Sequence, residues 1–161
     1  MSGVDFLDSN VLICLFDRDD ARKRGIAEQI FKKAAEDGTA VISHQVVQET
    51  LHVVSRKIRP ALTAEESQRT LMDVRVPLWR IMPSPALYGR ALSLQDRCRF
   101  SFYDSLIVAA ALEGGCARLL SEDLQHGQRI EGMTIENPFL AGEDPDTSRS
   151  GTPAARKSTR R

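Results

Sequence analysis

The chain has 161 residues, 42% hydrophobic and 27% charged, the proportions of one globular domain with enough apolar residues to build a core. No apolar run approaches the roughly 18 residues a membrane span needs, and residues 1–10 lack the basic and then apolar stretches of a secretory signal, so the expected location is the cytoplasm. Basic and acidic residues balance at 22 each, but residues 147–161 hold five Lys/Arg and no acid, which leaves 17 basic against 22 acidic residues in 1–146.

In chain order, Val4-Asp5-Phe6-Leu7 reads as a short strand that ends at the turn-forming trio Asp8-Ser9-Asn10. Ile26, Ile30 and Ala34, with Ala27, Phe31 and Ala35, predict a helix over about 19–37, and Gly38 is placed to stop it. Ala40-Val41-Ile42 is a second strand, and Val47, Leu51, Val54 and Ile58 mark a helix over about 45–58. Thr63-Ala64-Glu65-Glu66 has the capping-box pattern and opens a helix to about residue 75. A third strand is expected over 78–82.

Ser84 and Pro85 form an N-cap and first-turn pair for a helix with Leu87, Ala91, Leu94 and Cys98 on one face. Residues 101–112 predict a helix that is apolar nearly all round and therefore central, ended by Gly114-Gly115. Arg118-Leu119-Leu120-Ser121 and Met133-Thr134-Ile135 complete the strands. Strands alternating with helices imply a three-layer α/β/α domain with a central parallel sheet of four to five strands. That domain is expected over residues 1–140. The composition of 141–161 predicts a disordered basic tail, either a loose nucleic-acid contact or a solubilising extension.

Cys14, Cys98 and Cys116 form no CxxC pair and sit among apolar neighbours, which favours free thiols, and the three histidines form no HExxH. The chemistry is therefore sought in carboxylates. Sites in an open parallel sheet form outside the carboxyl ends of the strands. Asp8 follows the first strand, Asp123 follows the fourth, Glu49 lies in the first turns of the helix leaving the second, and Asp104 lies at the start of the central helix. Four such charges brought together repel unless a cation neutralises them, and their hard oxygens select Mg²⁺ or Mn²⁺ over zinc. Such a site suits phosphodiester hydrolysis. Taken singly, each acid has a structural use as well, in a cap, in a turn or against a helix dipole.

Three blocks carry a family resemblance: Leu7-Asp8-Ser9-Asn10-Val11-Leu12; the run from Phe102-Tyr103-Asp104-Ser105 to Ala111; and Leu120-Ser121-Glu122-Asp123-Leu124-Gln125-His126-Gly127, continuing to Ile135-Glu136-Asn137-Pro138-Phe139. Over about residues 3–140 the chain resembles PIN-domain nucleases, specifically the VapC-like toxin group. The resemblance implies a metal-dependent endoribonuclease, the toxin of a toxin–antitoxin pair, with Asp8, Glu49, Asp104 and Asp123 as the metal-binding acids. It further implies an antitoxin protein as partner and a homodimer. Ser9, Asn10, Ser105 and Ser121 are candidate assisting groups, with ordinary capping as the alternative for each.

The segment after Asp123 departs from the common pattern, which has an aromatic there. His126 reads as a hydrogen-bonding loop residue. Arg18, Arg22, Lys23, Arg24, Arg56, Lys57, Arg59, Arg97 and Arg99 are available to hold a phosphate backbone, and most fit solvated helix faces equally well. No aromatic motif of the RNP kind announces base stacking. The alternative readings are a non-catalytic RNA- or protein-binding module, a processing nuclease without an antitoxin, and an aspartyl phosphatase. The last is disfavoured because Asn10 stands where that chemistry needs a second Asp.

Overall fold

A computed structural model describes residues 3–140; the basic stretch expected to be disordered lies outside them. The elements run β1 (Asp5–Leu7), α1 (Ser9–Ile13), a 3₁₀ turn (Cys14–Phe16), α2 (Ala21–Asp37), β2 (Ala40–Ser43) and α3 (His44–Arg56). They continue with α4 (Ala64–Thr70), a π-helical segment (Leu71–Arg75), β3 (Trp79–Ile81), α5 (Pro85–Cys98), α6 (Phe102–Glu113), β4 (Arg118–Leu120), β5 (Arg129–Ile130) and β6 (Met133–Glu136).

The sheet order is β3-β2-β1-β4-β6-β5. Every pair is parallel except β5 with β6. The sheet thus has six strands rather than four to five, because Arg129–Ile130 turns back on Met133–Glu136 through Glu131 and Gly132, both at positive φ. All four residues of β2 are buried, as a strand covered by helices on both faces requires. Arg118 pairs with Asp5 (2.6 Å) across the β1–β4 register, fixing the amino ends of the two central strands.

The helix boundaries follow local chemistry. Gly38, at φ 64, closes α2 in the left-handed conformation that costs glycine nothing. Thr63 and Glu66 make the reciprocal capping box that opens α4. Ser84 caps α5 ahead of Pro85, and Ser101 caps α6. Residues 105–111 of α6 are all buried, so this helix is central as its uniform apolarity predicts. Ser43 ends β2 and caps α3 with its own hydroxyl, so α3 leaves the sheet at the carboxyl edge.

Chain connectivity runs outward in opposite directions from the β1–β4 boundary: β2 and β3 lie on one side, β4 and β6 on the other. That boundary is the topological switch point, where loops diverge and leave a crevice. Among the described residues no helix is long and apolar enough to cross a membrane.

Candidate active site

Asp8 stands at the carboxyl end of β1, in the crevice. Its residue type serves turns and helix caps alike, and here it caps α1, which begins at the next residue, accepting from Ser9 N at 2.7 Å. The side chain is only 6% exposed. Ser121 Oγ donates to its Oδ2 at 2.7 Å, and Ser9 Oγ lies 3.3 Å from Oδ1. Asn10 Nδ2 stands 3.3 Å from Asp8 Oδ2, 3.2 Å from Ser121 Oγ and 3.1 Å from Asp123 Oδ2, so two hydrogens are divided among three acceptors. The orientation of that amide follows from its other end, since Asn10 Oδ1 accepts from Glu122 N at 3.2 Å. Ser121 Oγ accepts from Asp123 N at 3.2 Å. One hydrogen-bonded unit therefore joins the ends of β1 and β4 and sets Asp8 and Asp123 side by side.

Burial pushes the Asp8 carboxyl up to about 6, against hydrogen bonds from Ser121 and Ser9 that favour its charged form; the charges of Glu49 and Asp123 add to the rise. The acids thus act on one another. Among the described residues no Lys or Arg forms an ion pair with Asp8, Glu49, Asp104 or Asp123. The nearby lysine, Lys23, is bound to Glu122 at 2.6 Å and lies 5.4 Å from the Phe139 ring centroid.

Glu49 projects from the second turn of α3, and Gln45, one turn earlier, donates to its Oε1 at 2.7 Å. The same amide nitrogen reaches Tyr103 O at 3.3 Å, tying Glu49 to the first turn of α6, where Asp104 sits. Gln45 escapes a search for acids, although its spacing of four from Glu49 is visible in the sequence. Asp104 N is capped by Ser101 Oγ at 3.1 Å. Ser105 is buried and its hydroxyl donates to Ser101 O at 2.8 Å, so it stabilises the helix start and does not join the Asp8 unit. His126 Nδ1 accepts from Asn137 N at 3.0 Å, a loop-bracing role.

The donor set fits a hard divalent cation: the donors are all oxygen, the buried acid lacks a cation partner, and its neighbours raise its pKa. The spacing is looser. Among the described residues no three His, Cys, Asp or Glu side chains are close enough to hold one ion together. Asp8 and Asp123 are joined through Asn10, whereas Glu49 and Asp104 belong to α3 and α6, whose first turns are linked through Gln45.

Fold and crevice together define a mostly parallel α/β protein with acidic side chains gathered at the switch point of its sheet. The model of the PIN domain matches residues 6–129, and the chain belongs to that family. No curated protein sequence matches it. Among solved structures it is similar to VapC20 of Mycobacterium tuberculosis, described as a sarcin–ricin loop cleaving toxin, at 19% identity and a TM-score of 0.56 over 74% of this chain and 91% of that one. It is also similar to a chain of a toxin–antitoxin complex from Klebsiella pneumoniae, at 21% identity and a TM-score of 0.59 over 83% and 97% of the two chains. A third is VapBC2 of Rickettsia felis bound to promoter DNA, at 18% identity and a TM-score of 0.55 over 83% and 98%. At these identities the likeness establishes the shared fold.

Proposed function

We propose that the chain is a Mg²⁺- or Mn²⁺-dependent endoribonuclease, the toxin of a toxin–antitoxin pair acting in the cytoplasm, with Asp8, Glu49, Asp104 and Asp123 as its metal-binding acids. The observation that carries the reading is Asp8: a carboxylate buried at the switch point, hydrogen-bonded by neutral donors and set beside a second acid, with no Lys or Arg paired to either among the described residues. When bound, a divalent ion supplies Lewis acidity at the scissile phosphate and lowers the pKa of water there.

The chain's own residues prepare that site. Asn10 and Ser121 hold Asp8 and Asp123 adjacent, and Gln45 holds Glu49. Partner surfaces are also available: Met72 and Val76, four residues apart, are 61% and 43% exposed, the kind of apolar surface an antitoxin or a second copy covers. A homodimer with a bound antitoxin is the expected assembly.

The test is cleavage of single-stranded RNA and of the matching DNA in Mg²⁺ by the parental chain and by Asp8→Asn. RNA cleavage by the parent and none by the variant supports the assignment, and equal rates would falsify it. The separation of the acids favours one second reading, a PIN-fold RNA-binding module without turnover. Tight RNA binding with no product in any divalent metal would select it.

A further inference from the structure

Beside the acidic crevice lies a cavity of about 220 Å³ between the starts of α3, α5 and α6. Gln45 joins the two, since it forms part of the cavity wall, donates to Glu49 and reaches the carbonyl of Tyr103. Tyr103 directly precedes Asp104. Two aromatic rings from different helices stand in this wall and face solvent, Tyr103 at 66% and Tyr88 at 45% exposure. Phe102 packs edge-on against Tyr103, with centroids 5.4 Å apart, and restrains its ring.

The polar part of the wall offers hydrogen bonds the protein does not itself use up. Gln48 is exposed there, and the amide oxygen of Gln45 accepts no hydrogen bond among the described residues. Exposed rings beside amide groups match an unpaired base, which offers a π-face to stack and edges that donate and accept. A purely apolar partner would leave these amide groups unanswered.

We propose that this cavity is a nucleobase subsite: it takes one unpaired base of an RNA strand whose backbone crosses the acidic crevice, stacked by Tyr103 and Tyr88 and read along its edge by Gln48 and by the amide oxygen of Gln45. The proposal rests on the nuclease reading above. It confines the substrate to single-stranded or looped RNA, because a base within a duplex cannot leave its stack to enter.

The experiment uses the full chain and a single-stranded RNA carrying 2-aminopurine, with anisotropy and 2-aminopurine emission measured in EDTA and kcat and KM measured in Mg²⁺. One stacked base contributes about 1–3 kcal/mol, so Tyr103→Ala weakens binding by about 5- to 150-fold and restores the quenched emission. Tyr103→Phe keeps affinity and quenching, and Tyr88→Ala, on the other helix, shifts both in the same direction as Tyr103→Ala. If the parent cleaves RNA and Tyr103→Ala binds it as tightly, the subsite is wrong and the nuclease reading stands. No cleavage by the parent in any divalent metal overturns the nuclease reading and the subsite with it. Loss of dimer in Tyr103→Ala at unchanged RNA affinity also overturns the subsite, in favour of a second copy as occupant.

Discussion

Asp8 and Arg75 are the two buried charged side chains among the described residues, and they stand in opposite situations. Asp8 lies in a crevice open to ligands, with burial and neighbouring acids pushing its carboxyl up to about 6. Arg75 is 0% exposed, in the π-helical segment, where Nε donates to Thr50 Oγ1 at 2.7 Å and Nη1 to Thr70 Oγ1 at 2.9 Å. Its guanidinium lies 5.6 Å from the Phe16 ring centroid, and Nη2 has no partner among the described residues. Burial pushes Arg75 down to about 10, which leaves it charged at neutral pH.

The acid can relieve its burial by taking a proton or a cation, whereas the guanidinium cannot be deprotonated under ordinary conditions. The first is therefore a site of exchange. The second is a pin that joins α3, through Thr50, to α4, through Thr70.

The largest effect that separates the two is on catalysis. Asp8→Asn and Asp104→Asn are each expected to lower RNA cleavage by at least about a thousandfold while the circular dichroism spectrum is kept, since each removes a ligand of the ion that the reaction needs. Arg75→Ala is expected to act on stability instead, costing about 3 kcal/mol in urea unfolding through the cavity it leaves. Arg75→Met should recover most of that loss, because the Thr50 and Thr70 hydroxyls keep their bonds to the carbonyls of Val46 and Ser67. An equal loss for both variants would assign Arg75 more than a filling and pinning role.

The pH dependence of stability sharpens the contrast further. Between about pH 4 and 6 the folded state holds a proton on Asp8 that the unfolded chain has released, so in EDTA stability falls as pH rises through that window. The loss amounts to at most about 3 kcal/mol above pH 6. Asp8→Asn should flatten this slope and raise the melting temperature at pH 8. Arg75 gives no slope between pH 5 and 8. The smallest expected effect belongs to Gln45→Ala, which frees Glu49 and should weaken Mn²⁺ binding by about tenfold, as loss of a residue that orients a metal ligand commonly does.

Much of this was legible in the residues. Thr63-Ala64-Glu65-Glu66, Ser84-Pro85 and Gly38 mark helix ends with signals confined to a few residues, and the uniform apolarity of 105–111 could only suit a central helix. The β5–β6 hairpin was not legible, because strand β5 has two residues and its turn places Glu131 in a left-handed conformation that a Glu does not advertise. Helix α1 was hidden because Asp8-Ser9-Asn10 suits a turn as well as a cap.

Arg75 was out of reach for another reason. The π-helical segment shifts the phase of the side chains, so no period of 3.6 places an arginine inside. At the crevice, the residue types of the four acids were readable, whereas the Asn10 bridge and the Gln45 link depend on segments that meet only on folding. Asn10 and Asp123 are 113 positions apart.

The central claim is that the acidic crevice binds a divalent ion, and Mn²⁺ titration followed by electron paramagnetic resonance tests it without reference to turnover. Saturable Mn²⁺ binding by the parental chain is expected, competed by Mg²⁺ and lost in both Asp8→Asn and Asp104→Asn. Mn²⁺ bound as tightly by these variants as by the parent, or by none of the three, would contradict it.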